Sequence, residues 1–153
     1  MYQMLLICFV KKPLLKDISQ VRGSKIAKGK NVLITTVGNK GGLCYSFALK
    51  NHIFNVIGCH LQHKQEKQKK RNEMSRQIVD KFEVTGLQSK IPGLDSDQVA
   101  DFNFYIGDLN YRLKTTFTNL NNTNVREVAI PMIPTGDQLM EALDEGYYPG
   151  YVE

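Results

Sequence analysis

The sequence predicts an α/β protein built on one sheet of mixed strand direction. Strand-like segments outnumber helical ones, and consecutive strands are joined both by a hairpin and by a helical crossover. The polar loops that could carry chemistry follow the ends of strands. The 153 residues, 42% of them hydrophobic and 23% charged, give room for one ordinary domain and exclude a predominantly disordered chain.

The N-terminal part of the chain predicts two strands separated by a short turn. Segment 2–10 contains the longest apolar run, Met4–Val10, and is predicted to be a buried strand. This run is far shorter than the roughly 20 residues of a membrane-spanning helix, so we expect no membrane crossing. A short helix or turn over 13–22 and a β-branched strand over 31–37 follow.

Two strands joined as a hairpin are predicted next. Leu43–Leu49 and Ile53–Cys59 are separated by three residues, a hairpin spacing in which Asn51 is the residue most tolerant of a positive φ. Neither segment alternates cleanly between apolar and polar residues. This pattern favours strands that are buried on both faces.

A long amphipathic helix is predicted over His63–Val84. Met74, Ile78 and Phe82 recur every four residues and define one inward stripe, while Lys, Gln and Glu fill the other faces. Several of these bases crowd the first half of the helix, where they are typical of a solvated surface. Arg71 and Asn72 lie one turn before the stripe, and could instead support the loop that precedes the helix.

The C-terminal part of the chain predicts one more strand and one more helix. The elements are, in order, a loop over 85–101, a strand over Phe102–Ile106, a polar insertion over 114–125 and a helix that ends at Gly146. Thr135 and Gln138 have the spacing of a capping box for that helix. Its apolar side consists of Leu139, Met140 and Leu143.

The cysteines predict buried thiols in a reducing compartment. Cys8, Cys44 and Cys59 are odd in number, lack C-x-x-C spacing, and each lies in an apolar, strand-like stretch. We therefore expect a cytoplasmic protein in which the thiols are structural.

The net charge of +5 conceals a segregation of charge along the chain. Residues 137–153 hold five acids and no base, whereas residues 11–30 hold seven bases against one acid, Asp17. The bases are Lys11, Lys12, Lys16, Arg22, Lys25, Lys28 and Lys30. Such a block is typical of a solvated face, and it would also attract phosphates, nucleic acid or an anionic bilayer. Composition alone leaves these partners open.

The strongest candidate for chemistry is Gly107-Asp108-Leu109-Asn110-Tyr111-Arg112, which directly follows the predicted strand 102–106. Ligands of open α/β sheets bind at such strand ends. Asp108 could orient and deprotonate a water, Asn110 could donate to an oxyanion, and Arg112 could pair with phosphate oxygens. The alternative is an Asx-type turn with a surface arginine.

The second candidate is His60, at the junction of the strand 53–59 with the following helix. A single histidine in such a position is commonly a structural hydrogen-bonding residue. However, His60 ends its strand as Asp108 ends another, so both side chains could open onto one rim of the sheet and flank one pocket.

The third candidate is the glycine-rich loop Gly38-Asn39-Lys40-Gly41-Gly42. It lacks the G-x-x-x-x-G-K-[ST] spacing and no helix follows it, so it does not fit a P-loop. It is either a turn with a solvated lysine or a close backbone approach to a phosphorylated ligand, with Lys40 as a point charge.

As an ordered set, these motifs resemble the catalytic domain of the inositol polyphosphate 5-phosphatases, within the endonuclease/exonuclease/phosphatase superfamily. The shared motifs are the 38–42 loop, His60-Leu61, Arg71-Asn72 and the run from Gly107 to Leu113. The resemblance covers essentially the whole chain. It implies a partial four-layer α/β sandwich with a mixed, mostly antiparallel sheet, of which residues 1–153 would be the central portion.

The resemblance also implies a magnesium-dependent phosphomonoesterase that removes the 5-phosphate of phosphoinositides or soluble inositol polyphosphates. In the family pattern Asp108 would activate the attacking water, Asn110 would hold the water or a phosphate oxygen, and His60 would bind the scissile phosphate. Lys40, with Asn39, would lie near the ring or head-group phosphates. The basic block would help to dock the protein peripherally on an anionic membrane, and no nucleic acid is expected as a partner.

Parts of the family pattern lie outside the sequence. The glutamate that binds Mg²⁺ in that pattern would precede Met1, and the terminal Asp-His pair would follow Glu153, so no metal ligand is assigned here. We therefore expect the isolated chain to be inactive or nearly so. Two alternatives stay open, a nuclease of the same superfamily and a non-catalytic fragment that binds polyanions or membrane surfaces.

Overall fold

A computed structural model describes residues 4–27, 30–32, 35–37, 39–85, 100–114 and 125–148. They fall into two compact units, one formed by Met1–Leu61 with Gln77–Leu109 and the other by Gln62–Arg76 with Asn110–Glu153. Most of the predicted loop 85–101 and of the polar insertion 114–125 lies outside the described residues.

Six strands and four α-helices make up the described regular structure. The strands are β1 (Ile18–Ala27), β2 (Lys30–Val32), β3 (Thr35–Val37), β4 (Gly41–Leu49), β5 (His52–His60) and β6 (Phe102–Asp108). The helices are α1 (Gln68–Thr85), α2 (Val125–Ala129), α3 (Ile133–Gly136) and α4 (Gln138–Asp144), with 3-10 helices at Lys12–Asp17, Gln65–Lys67 and Ile130–Met132. None of the helices in the described ranges is long and apolar enough to span a bilayer.

The main sheet has the order β1-β4-β5-β6. The β1–β4 and β4–β5 pairs are antiparallel, and β5 and β6 are parallel. The remaining strands, β2 and β3, form a separate antiparallel pair. This arrangement confirms the predicted α/β class with a mixed, mostly antiparallel sheet.

The predicted hairpin is present as β4 and β5, with two corrections. The positive φ of the turn, 54°, belongs to Lys50 rather than to Asn51. In addition, the strands are not equally buried on both faces, because fully buried residues alternate with half-buried ones along both β4 and β5. Only one face of the sheet is covered completely by the described residues.

The covered face of the sheet lies against the second half of α1. A Cβ placed on Gly42 would lie 2.8 Å from Ile78 Cγ2 and 2.9 Å from Phe82 Cε2, so helix and strand are in close contact there. Both Ile78 and Phe82 are almost completely buried, as the predicted stripe requires. A buried polar row crosses the same face, in which Ser46 donates to Asn55 at 2.6 Å and Asn55 donates to Asn103 at 2.9 Å.

The opposite face of the sheet is aromatic and partly open. The rings of Phe47, Phe54 and Phe102 stack across β4, β5 and β6, with centroids 5.4 Å and 4.9 Å apart. Leu6 lies over this face against Gly58. Phe104 remains about half exposed, at 51%.

The N-terminal predictions need the largest corrections. Residues 4–10 form no strand, because no strand in the described part of the chain pairs with them, and Cys8 is exposed rather than buried. The 3-10 helix at Lys12–Asp17 matches the predicted turn, but β1 follows it without having been predicted. Most β1 side chains are exposed at the edge of the sheet, so its sequence lacks an apolar period.

The start of α4 also differs from the prediction. Asp137, not Thr135, caps the helix, and its carboxylate accepts from the backbone N–H of Leu139 at 2.7 Å. Thr135 lies within the short helix α3, and Gln138 is buried instead of serving as the partner of a capping box.

Candidate functional site

The candidate site of the first unit lies where β5 and β6 end side by side. His60 and Asp108 are register partners, and the backbone N–H of Leu61 donates to the Asp108 carbonyl at 2.9 Å. The His60 Nε2 atom lies 3.4 Å from Asp108 Oδ2. Because parallel strands end at the same edge of a sheet, an imidazole and a carboxylate that are far apart in sequence meet here.

Gly107 allows this close approach of the two strands. Its φ is +118°, and a Cβ at this position would lie 2.3 Å from the Cys59 carbonyl oxygen. Any other residue would clash with β5 immediately before Asp108.

Lys40 reaches the same edge from the bend before β4. Its ammonium Nζ lies 2.5 Å from His60 Nε2, and the residue is only 8% exposed. The backbone beside it is fixed by Gly41, which has a φ of +142° and is the register partner of His60. A Cβ on Gly41 would lie 2.0 Å from the Ile26 carbonyl oxygen, so the bend requires glycine.

The electrostatics of Lys40 reflect two opposing influences. Burial lowers the pKa of Lys40 below its ordinary value, while the charge of Asp108 opposes this by raising it. The contact with Lys40 Nζ and the approach to Asp108 Oδ2 share one ring nitrogen of His60, Nε2. Lys40, His60 and Asp108 thus form a chain of three polar groups from three separate strand ends.

A cleft of about 320 Å³ lies beside these groups. Its polar lining includes His60 and Asp108, whose side chains are 29% and 63% exposed. The apolar lining is formed by Met4, Leu5, Leu6, Leu43 and Ile106. A cleft of about 590 Å³ elsewhere in the unit is larger, but its lining contains neither imidazole nor carboxylate. The smaller cleft is therefore the better candidate for chemistry.

A second imidazole–carboxylate pair stands at the opposite ends of the same two strands. His52 begins β5, and its Nδ1 lies 3.8 Å from Oδ2 of Asp101, the residue before β6. Asp101 also accepts from the backbone N–H of Ile53 at 2.6 Å. This pair provides an internal comparison for His60 and Asp108.

Two of the predicted site residues, Asn110 and Arg112, belong to the second unit. Asn110 has a positive φ of 57°, and its side-chain oxygen accepts from the Arg112 guanidinium at 2.9 Å. The backbone N–H of Arg112 donates to the Gln138 side chain at 3.2 Å. Their roles toward a substrate stay predictions, as does that of the exposed Asn39 of the first unit.

Arg71 is the centre of a buried polar network in the second unit. It is completely buried and donates to the carbonyls of Gln62 and Lys64, at 2.9 Å and 3.0 Å, and to the Gln138 side chain. Its guanidinium also lies 4.9 Å from the centre of the Tyr111 ring. Arg71 therefore fixes the backbone at 62–64, the segment that follows His60 along the chain.

The charge of Arg71 has no acidic partner among its described hydrogen bonds, since all its acceptors are neutral. Its Nε atom has no hydrogen-bond partner in the described structure. Burial accordingly lowers the pKa of Arg71. The network depends on neutral acceptors and on the tyrosine ring to solvate a guanidinium.

Asn72 and two tyrosines complete this network. The Tyr111 hydroxyl donates to the Asn72 side chain at 2.9 Å and lies 2.8 Å from the Tyr148 hydroxyl. Burial, followed by the neighbouring Tyr148, raises the pKa of Tyr111. Sequence reasoning selected Arg71 and Asn72 but gave neither Gln138 nor the two tyrosines a place in this network, because only the fold brings their segments together.

The described donor groups of the first unit do not fit a divalent cation. In the part of the chain that the structure describes, no three His, Cys, Asp or Glu side chains come together as metal ligands. At the candidate site His60 and Asp108 approach each other, and the Lys40 ammonium contacts the same imidazole nitrogen. The magnesium site implied by the resemblance is not formed by these residues.

Comparison with known proteins gives consistent matches. The profile of the endonuclease/exonuclease/phosphatase family 2 matches residues 1–151. The chain is 27% identical over 150 residues to the type II inositol 1,4,5-trisphosphate 5-phosphatase of Mus musculus. This alignment covers 97% of the chain and 15% of the mouse protein. The chain is 30% identical over 122 residues to the phosphatidylinositol 3,4,5-trisphosphate 5-phosphatase 2 of Homo sapiens, covering 80% of this chain and 9% of that protein.

Solved structures share the fold, among them a 5-phosphatase domain and a nitrophorin. The inositol polyphosphate 5-phosphatase domain of SPsynaptojanin, in complex with inositol (1,4)-bisphosphate and calcium ion, matches with a TM-score of 0.63 and 21% identity. The match covers 89% of this chain and 36% of that domain. A Cimex nitrophorin matches with a TM-score of 0.55 and 20% identity, over 94% of this chain and 43% of that one.

Proposed function

Because this chain belongs to the endonuclease/exonuclease/phosphatase family 2, we propose that it carries part of the phosphate-ester site of an inositol polyphosphate 5-phosphatase. The observation that carries the proposal is the meeting of Lys40, His60 and Asp108 at one sheet edge, with separations of 2.5 Å and 3.4 Å. The 5-phosphatases among its relatives support the choice of an inositol phosphate as the substrate class.

The proposed chemistry is hydrolysis of a phosphomonoester. Asp108 takes a proton from a water molecule, the water oxygen bonds to phosphorus, and the bond between phosphorus and the inositol oxygen breaks. The departing inositol oxygen takes a proton from solvent, so the products are inorganic phosphate and the inositol hydroxyl. Lys40 offsets the charge of the phosphate, an attraction of about 4 kcal/mol at 4 Å and an effective dielectric near 20. His60, whose Nε2 contacts Lys40, adds its imidazole as a further polar group toward the phosphate.

We further propose that the isolated chain turns over its substrate slowly or not at all. The described residues provide a base and an ammonium but no cluster that fits a divalent cation. A missing general acid or base alone lowers rates by about 10² to 10⁴. Dependence on Mg²⁺ therefore stays a prediction for a polypeptide that supplies further carboxylates.

A second candidate function is binding of a polyanion without turnover. The buried Lys40 beside His60 favours it, because an ammonium can hold a phosphate without a metal ion. The wider prediction, a cytoplasmic protein that associates peripherally with anionic membranes, rests on the charge pattern and the cysteines and is part of the same proposal.

The test combines binding and turnover. Binding of inositol 1,4,5-trisphosphate would be followed by ³¹P NMR, and phosphate release by a malachite-green assay with and without Mg²⁺. We expect Asp108→Asn and His60→Ala to abolish any release, and Lys40→Met to weaken binding at least tenfold. Asp101→Asn and His52→Ala, which alter the opposite pair, should change neither.

Two results would overturn the proposal. Phosphate release that survives Asp108→Asn would remove the role of that carboxylate. Cleavage of plasmid DNA in Mg²⁺, without binding of inositol phosphates, would instead identify a superfamily nuclease. Tight binding without release, lost in Lys40→Met and seen also in a longer polypeptide that supplies further carboxylates, would identify the second candidate function.

A further inference from the structure

The end of the sheet remote from His60 exposes apolar and basic side chains together. Phe9 and Val10, which precede the 3-10 helix at Lys12–Asp17, are 92% and 41% exposed, and Leu14 and Leu15 within it are 39% and 57% exposed. The exposed lysines of this segment are Lys11, Lys12 and Lys16. We call residues 9–16 the basic turn.

A further lysine joins the basic turn from another part of the chain. The backbone N–H of Lys50, at the tip of the β4–β5 hairpin, donates to the carbonyl of Asp17 at 2.9 Å. This bond places the exposed Lys50 beside the 3-10 helix. The acids nearby are Asp17 and Asp101, and Asp101 is paired with His52. Among the residues that the structure describes, four lysines thus outnumber two acids at this end of the sheet.

We propose that the basic turn docks on an anionic lipid bilayer. Aliphatic side chains flanked by lysines match a bilayer surface, which offers an apolar layer beneath negative head groups. A nucleic acid would supply the negative charge but no apolar layer for Leu14 and Leu15. The lipid surface is therefore the partner whose chemistry fits both features.

The geometry separates this surface from the candidate phosphate site. Strand β1 starts directly after the basic turn and ends at Ala27, which pairs with Gly41, the partner of His60. Its 10 residues, at about 3.3 Å each, span roughly 30 Å. The predicted basic block 11–30 is thus divided between the two ends of β1.

This separation has a consequence that rests on the proposed function. A protein docked by the basic turn holds the His60 edge roughly 30 Å from the head groups. It would then act on, or bind, a soluble inositol phosphate rather than a lipid in the same bilayer.

The test is flotation of the full 153-residue chain with vesicles of phosphatidylcholine alone or with phosphatidylserine. We expect binding only to the anionic vesicles. Replacing Lys11, Lys12 and Lys16 together by Gln should weaken binding roughly a hundredfold, about fivefold per lysine. The matched control replaces the exposed Lys64, Lys69 and Lys70, an equal change of charge that should leave binding unaltered.

A tryptophan probe tests insertion directly, because the chain contains no tryptophan. Fluorescence of Leu15→Trp should shift to the blue on anionic vesicles and be quenched by brominated lipids. Met140→Trp, at another partly exposed position, should show neither effect. Circular dichroism would establish that each variant is folded.

Three outcomes overturn the inference. They are equal binding to neutral vesicles, equal loss in the control triple variant, and release of the protein from vesicles by inositol 1,4,5-trisphosphate. The last would show that the candidate phosphate site itself contacts lipid. Lys40→Met, which tests the candidate phosphate site, should leave vesicle binding intact, so failure of the phosphate site and failure of the docking surface are distinguishable.

Discussion

His60 and Asp108 end two parallel strands as direct register partners, with His60 Nε2 at 3.4 Å from Asp108 Oδ2. At the other ends of these strands His52 and Asp101 form a similar pair at 3.8 Å. The difference between the pairs is Lys40, a buried ammonium that contacts only the His60 pair. This third group is what makes one end of the strands a candidate phosphate site.

Replacing Lys40 should reveal its lowered pKa as a pH-dependent stability. Burial holds the pKa below the ordinary 10.5, so in the range just below that value the unfolded chain binds more protons than the folded chain. The free energy of unfolding of the wild type should therefore rise with pH there, relative to Lys40→Met. Urea unfolding from about pH 8 to about pH 11 measures this difference.

Cysteine thiols that titrate in the same pH range are present in both proteins, so their contribution to the pH dependence cancels in the comparison with Lys40→Met. Lys12→Met, which removes an exposed lysine, serves as the control. A difference between wild type and Lys40→Met that stays constant with pH would contradict the burial of the ammonium.

Gly107→Ala should destabilise the sheet and disturb the candidate site. The new Cβ would lie 2.3 Å from the Cys59 carbonyl oxygen, and the backbone has a φ of +118°. We expect a loss of about 3 kcal/mol in the free energy of unfolding. Gly23→Ala should be neutral or slightly stabilising, because its Cβ would meet Tyr45 at an ordinary 3.5 Å. Equal effects of the two substitutions would exclude the proposed clash.

Arg71→Ala should destabilise the chain by about 3 kcal/mol, since it leaves several buried acceptors without a donor. Arg71→Lys should restore little of this, because an ammonium cannot reproduce the planar set of donors. Arg76→Ala, at an exposed position of the same helix, should change stability by no more than about 0.5 kcal/mol. Thermal and urea unfolding measure the stability of the three variants, of which Arg76→Ala should be the most stable and Arg71→Ala the least. Full recovery in Arg71→Lys would contradict this order.

The cysteines should differ sharply in reactivity. Cys8 is exposed, whereas Cys44 and Cys59 are buried, and burial raises the pKa of Cys59 to about 12. A thiol reagent such as DTNB should label Cys8 rapidly in the native chain and the other two only after unfolding. Cys8→Ser should remove the rapid phase. A rapid phase that persists in that variant would contradict the burial of Cys59 and Cys44.

The sequence predicts the elements whose side chains face a core. Strands β4 and β5 and helix α1 are rich in apolar residues because each buries one face, and β6 is recognised by its aromatic and apolar residues although they stay partly exposed. The edge strand β1 was missed because most of its side chains face solvent. The apolar segment 4–10 was overpredicted, since apolar character indicates burial but does not supply a partner for backbone pairing.

Some features of the candidate site could likewise be predicted from the sequence and others could not. The meeting of His60 and Asp108 could be predicted from their positions at strand ends. The contact of Lys40 with His60 could not, because it depends on the bend at Gly41 and on one side-chain conformation. Gln138 was assigned to a capping box from local spacing, but the buried Arg71, far from it in sequence, takes its side chain.

The parallel pairing of β5 with β6 joins residues 48 positions apart, as in the Asn55–Asn103 bond, whereas β4 and β5 are joined by a tight turn. Closing the longer loop carries the greater entropic penalty, so the hairpin can form early and β6 adds late. During refolding, the imidazole at position 60 should therefore be in place before its carboxylate partner arrives, which makes completion of the phosphate site a late kinetic event.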